Sequence, residues 1–233
     1  MKRIFFLVLP LLVATKLSSQ TPITVKVDKR IELVRIIWNL AFEKKLPKEA
    51  KPTPSIYHDE VRDYFKKYKK HKAVQLLKDA WIFDYSFPRI AVSLDENFEL
   101  VDEQRMVDWE KNYGKEQIRK ILQEIKQFAL ASNFEAFFND HTKDYEIMVA
   151  EFSKGINQTS WLAEICRLFD CEHLEEVKIY FEPLNNCGNY EISNTTGNTP
   201  EIGIAYLSDD PAKLKKEARK PVIFQLEPWI RRV

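Results

Sequence analysis

The chain has 233 residues, with 36 Lys and Arg against 35 Asp and Glu, 45% hydrophobic residues, 12% aromatic residues and only 5 glycines. That much apolar matter excludes collagen-like, low-complexity and wholly disordered classes. A formal charge of +1 argues against a dedicated nucleic-acid binder, which carries a basic excess or stripe.

Met1-Lys2-Arg3 is a basic start, and Ile4 to Val13 is an unbroken apolar stretch. This stretch is about half the ~20 residues that span a bilayer, so the pattern is that of a secretory leader rather than a membrane helix. Ser19 is a small residue suited to the position before cleavage, which makes Gln20 the expected new N-terminus. The sequence therefore predicts a signal peptide over 1–19 and export to the periplasm or the exterior. No cysteine lies near the boundary to take a lipid anchor, and no transmembrane helix is expected in the mature chain. Losing Lys2, Arg3 and Lys16 with no acid turns a slight basic excess into a slight acidic one. The remainder is long enough to bury ~70% of its unfolded surface around one core.

Pro22 to Val27 reads as a strand, with Ile23, Val25 and Val27 alternating against Thr24 and Lys26. Asp28 stands where a cap belongs, before a helix in which Leu33, Ile37, Leu40 and Ala41 recur at helical spacing. Residues 45–55, with three prolines, form a loop. In the next helix Val61, Tyr64, Phe65 and Tyr68 fall on one apolar face. His71 to Ile82 predicts another helix, and Phe87 to Leu94 a weaker one. The strongest helical pattern is 115–131, where Ile118, Ile121, Leu122, Ile125 and Phe128 line one side. Helices are expected around Phe134–Phe138, Tyr145–Phe152 and Trp161–Phe169. After Glu172 the period changes to two: Val177, Ile179 and Phe181 alternate, as do Ile202, Ile204 and Tyr206, and Val222–Leu226 is a nearly continuous apolar run. Pro183 to Pro200 between the first two strands reads as a long Asn-, Gly- and Thr-rich loop. The chain ends within a few residues of its last expected strand, an abrupt stop for a strand that needs covering.

The chemistry-bearing residues are sparse. Lys66-Lys67-Tyr68-Lys69-Lys70-His71-Lys72 is closely preceded by Asp59, Glu60 and Asp63, so it reads as a solvated helix end rather than a nucleic-acid patch. Cys166, Cys171 and Cys187 leave three readings open: reduced buried thiols, one structural disulfide with a leftover thiol, or, with His173, a zinc ligand set of unusual spacing. None of His58, His71, His141 and His173 stands in H-E-x-x-H. There is no G-x-S-x-G elbow, phosphate-binding glycine loop or papain-type cysteine. The carboxylate pairs Asp209-Asp210 and Glu175-Glu176 are ordinary in so charged a chain and read as solvated surface.

Four segments carry a resemblance: Ile23 to Phe42, His58 to Ala80, Gln127 to Tyr145, and the Pro183 to Tyr190 loop (PLNNCGNY). Their order resembles a domain-of-unknown-function family of exported bacterial proteins, which is similar to gluzincin-type zinc metallopeptidases. The resemblance implies a continuation from the last strand into a helix bearing H-E-F-x-H, with two histidines binding zinc and the glutamate as base. Here the corresponding point is Leu226-Glu227-Pro228-Trp229, and no histidine follows His173. No catalytic or metal residue is carried over, and zinc is implied for full-length family members only. The expectation is a truncated, interrupted or fragmentary member.

The resulting fold expectation is α+β: a helical N-terminal array over 20–172, then a small C-terminal sheet over 173–233 as the front of a metallopeptidase-like domain. The first functional expectation is a metallopeptidase-family protein that is catalytically inactive as it stands. The second is a non-enzymatic envelope or extracellular protein that binds a peptide or glycan. Asn185, Asn186, Asn189 and Tyr190 would then offer amide and hydroxyl groups, with edge pairing from the nearby strands.

Overall fold

Ile23 and Val25 alternate with Thr24 in a first strand, β1 (Ile23–Lys26), and Asp28 then turns the chain into α1 (Lys29–Phe42). The computed structural model describes residues 23–46, 55–82, 87–157, 176–185, 190–192 and 201–205. Asp28 caps α1 by accepting a hydrogen bond from the Arg30 backbone N–H at 3.0 Å, and its carboxylate also receives the Arg30 side chain at 2.7 and 2.9 Å. Burial works to raise the Asp28 carboxyl. The hydrogen bond from Arg30 and the charges of Arg30 and Lys26 outweigh it and hold the group at about 2.

α1 is the axis of the molecule. The expected one-sided apolar face is instead a helix buried nearly all round, from Ile31 to Phe42, with only Leu40 half-exposed. It packs against α3 (Lys72–Asp79), α5 (Lys115–Ser132) and a 3₁₀ segment (Phe87–Ser93). Glu32 and Arg35 fall inside this run, so both ionisable side chains are carried into the core.

The flanking helices begin and end on local chemistry. Ser55 caps α2 (Ile56–Phe65) through its Oγ, which accepts from the His58 N–H at 2.9 Å. His71 caps α3 through Nδ1, accepting from the Ala73 N–H at 3.2 Å. A short helix, α4 (Val107–Tyr113), stops at Gly114, whose φ of +86° suits a residue without Cβ. Asn133, at φ +54°, ends α5 and opens α6 (Phe134–Asp140), and α7 (Thr142–Asn157) follows. Phe65 lies at the crossing of three of these helices, with ring centroids 6.0 Å from Phe128, 6.5 Å from Phe134 and 4.9 Å from Phe137. Aromatic burial on this scale contributes about 2–3 kcal/mol for each ring.

The sheet joins β1 to β2 (Val177–Glu182), β3 (Tyr190–Ile192) and β4 (Glu201–Ala205) in the order β1-β2-β4-β3. β1 and β2 run parallel, with Ile23 opposite Val177, and β2 and β4 run parallel, with Ile179 opposite Ile202. β3 is antiparallel to β4 and places Tyr190 opposite Gly203. The fold is α+β, and its described helices lie along the connection between two adjacent parallel strands. The sheet therefore draws strands from both sides of residue 172.

Three local differences from the sequence reading have physical causes. Phe87–Leu94 forms a 3₁₀ run to Ser93 rather than an α-helix, and the Ser93 hydroxyl closes its last turn by donating back to the Ile90 carbonyl three residues earlier at 2.6 Å. The 183–200 stretch is not all loop, because Tyr190–Ile192 is hydrogen-bonded into the sheet; three residues are too few to give a periodicity signal. α4 also arises where no helix is expected, and Trp109 supplies its buried contact, with its ring 5.3 Å from that of Phe87. The predicted leader, the 161–169 helix, the 222–226 strand and all three cysteines lie outside the described residues.

Candidate functional site

A groove of about 570 Å³ opens between α2 and α6. α2 contributes Ile56, Asp59, Glu60, Asp63 and Tyr64 at helical spacing; α6 and the residue after it contribute Phe137, Asp140 and His141. Phe137 is buried, while Tyr64 and His141 are half-buried, so the floor is aromatic and the walls are carboxylate. Ile56 stands 76% exposed at the rim, an apolar side chain left in water beside four acids.

The acids are unevenly compensated. Asp59 meets Arg62 at 2.7 Å, Asp63 meets Lys66 at 3.2 Å, and Glu60 meets His141 Nε2 at 3.0 Å. Asp140 makes no ion pair among the described residues. The His141 imidazole is fixed at its other nitrogen, with Nδ1 2.8 Å from the Phe137 carbonyl. A volume of this size accommodates several side chains of a peptide or one small molecule.

Behind the floor is a buried polar chain. The Tyr57 ring stands edge-on to His141 at 5.3 Å and 6.3 Å from Phe137, so it backs the groove directly. Its hydroxyl donates to Glu32 Oε1 at 2.6 Å and lies 2.7 Å from the Tyr145 hydroxyl. These contacts tie α1, α2 and α7 together. Glu32 is 1% exposed, and its Oε2 has no partner among the described residues. Burial pushes its carboxyl up to about 8 and the nearby Glu182 charge pushes the same way, against the opposing effects of the Tyr57 hydrogen bond and Arg35. Burial also raises the Tyr57 hydroxyl well above its ordinary value, helped by the Glu32 charge.

A second buried pair joins α1 to the sheet. Arg35 donates to Glu182 Oε2 from Nε at 2.9 Å and from Nη2 at 2.8 Å, with both side chains 1% exposed. The Arg35 guanidinium also lies 5.5 Å from the Trp38 ring. Asn185, one of the residues singled out as a ligand contact, is 2% exposed with its Nδ2 3.5 Å from Glu182 Oε1. Tyr190 lies in β3, while Asn186, Asn189 and Cys187 lie outside the described residues, as do Cys166 and Cys171.

No group of three His, Cys, Asp or Glu side chains among the described residues is arranged to hold a metal ion. No helix among the described residues is long and apolar enough to cross a membrane. The chain matches no family model, no curated protein and no solved structure.

Sequence reading missed the groove because its residues read singly as surface. The available signal was the set Asp59, Glu60 and Asp63 on one helical stripe ahead of Tyr64, with exposed Ile56 one turn earlier. Glu32 carried a clearer mark, being a lone acid between Ile31 and Leu33 at the head of a largely apolar run.

Proposed function

We propose that this chain is a non-enzymatic binding protein, exported behind the leader of residues 1–19, that takes a basic peptide segment in the groove between α2 and α6. The supporting observation is the groove itself: an aromatic floor of Tyr64, Phe137 and His141 under Asp59, Glu60, Asp63 and Asp140. Aromatic faces accept the stems of Lys and Arg as well as apolar side chains, and carboxylates attract their charged ends. The test is calorimetric titration with a synthetic hexapeptide of alternating lysine and leucine, against its glutamate–leucine counterpart. Binding of the lysine peptide that weakens with salt, and falls about tenfold in Asp63→Asn/Asp140→Asn, supports the reading. Equal binding of the two peptides, or no effect of the double substitution, rejects it.

The metallopeptidase-family reading rests on the order of the resembling segments. Residues from three of them, Phe42, Phe65 and Phe128, are buried in one core. This reading has the chain catalytically inactive as it stands, and metal analysis tests it: one equivalent of zinc in the purified chain, with hydrolysis of any peptide, would reject it.

A further inference from the structure

Among the described residues, three that are not glycine have positive φ: Trp81 at +51°, Phe98 at +62° and Asn133 at +54°. Asparagine adopts this conformation readily, and Asn133 uses it to hand α5 over to α6. Phe98 is 7% exposed, and its ring packs 5.9 Å from that of Phe134, so core packing holds it there. Trp81 has neither reason: it is 74% exposed.

The backbone at Trp81 is a helix-ending motif that ordinarily carries glycine. The Trp81 N–H donates to the Lys78 carbonyl at 3.0 Å, and the Ile82 N–H reaches back to the Leu77 carbonyl at 3.3 Å. These are the paired bonds of a Schellman cap on α3, with Trp81 at the left-handed position. Leu77 and Ile82 are both fully buried and complete the motif's apolar contact. The cap needs no side chain at 81, and a bulky one there is strained. The largest residue type thus occupies a position where folding favours the smallest, with its ring in water.

The surroundings indicate what the ring is for. Lys45 Nζ sits 4.5 Å from the Trp81 ring centroid, on an exposed turn that also carries Lys44. The pair presents a flat apolar face with an indole N–H donor and a cation poised over it. Pyranose rings stack on such faces through their C–H edges, and a uronate carboxylate would meet the ammonium. Bilayer insertion fits less well, because the neighbouring helix end offers exposed Asp79 rather than further apolar side chains.

We propose that Trp81 and Lys45 form a surface subsite for an acidic polysaccharide, distinct from the α2–α6 groove and independent of the peptide-binding reading. The test uses the full chain and three probes: polygalacturonate, neutral dextran, and vesicles with one third anionic lipid. Wild type should bind polygalacturonate, and Trp81→Gly should weaken that binding about tenfold or more. Because glycine relieves the backbone strain, Trp81→Gly should leave Tm unchanged or raise it by up to about 3 °C. Lys45→Gln should keep the fold, lower affinity by about threefold and reduce the salt dependence. The proposal is overturned if polygalacturonate does not bind, if Trp81→Gly binds like wild type, or if it lowers Tm by more than about 5 °C. Equal binding of dextran removes the acidic specificity, and capture by vesicles alone assigns the site to lipid; either result also overturns it.

Discussion

Glu32 gives the sharpest prediction. Its carboxyl is raised from 4.5 to about 8 in the folded chain, chiefly by burial. The folded state therefore holds a proton that the unfolded chain releases above about 4.5. Stability from this group is fully present below that pH, declines by about 1.4 kcal/mol per pH unit up to about 8, and then levels off. The whole span amounts to about 5 kcal/mol, a large share of what a domain of this size has to spare. Glu32→Gln keeps the shape and an oxygen for the Tyr57 hydroxyl, but it takes up no proton on folding. Urea unfolding of both proteins at pH 5, 6, 7 and 8 isolates the effect as a difference between two curves. The expected result is a wild-type stability that falls across this window relative to the variant. Parallel curves would refute the reasoning, since they would mean that Glu32 is ionised in the fold or solvated in ways its 1% exposure contradicts.

Asp28 should behave in the opposite sense. Its carboxyl is lowered from 3.8 to about 2, so its contribution of about 2.5 kcal/mol is present above 3.8 and lost as pH falls through about 2. Asp28→Asn should be less stable than wild type at pH 6, with the gap closing as acid unfolding is followed towards pH 2. For the buried ion pair, Arg35→Met alone leaves the Glu182 charge unpaired and should cost about 3–5 kcal/mol in urea unfolding, whereas Arg35→Met with Glu182→Leu should recover most of it. A double variant as unstable as the single one would show that Arg35 acts through packing against Trp38 rather than through charge.

The sequence carried the helices well because their signals are local. Asp28 before an apolar run, the Val61–Tyr68 face and the Ile118–Phe128 stripe each state a start or a face within a few residues. The strands β1, β2 and β4 were legible for the same reason. Which strands pair was not legible, because nothing near Ile23 records that its neighbour is Val177. β3 was hidden by its three-residue length, and α4 by depending on Trp109 reaching Phe87. The groove depends on Asp63 and Asp140 being brought to one opening by the turn at Asn133, a tertiary fact with no local trace.

The pairing of β1 with β2 has a consequence for how the chain reaches its fold. Ile23–Lys26 is made early, yet its hydrogen-bonding partner does not exist until residues 177–180 have been synthesised. Throughout that interval the helices can collapse on one another through contacts such as Phe65 with Phe128, none of which needs the sheet. Closing so long a loop costs entropy that grows only logarithmically with its length, and far less once the helices have drawn its ends together. The helical layer thus acts as the splint on which the sheet is set, and until it forms the first strand is a short apolar edge with no mate.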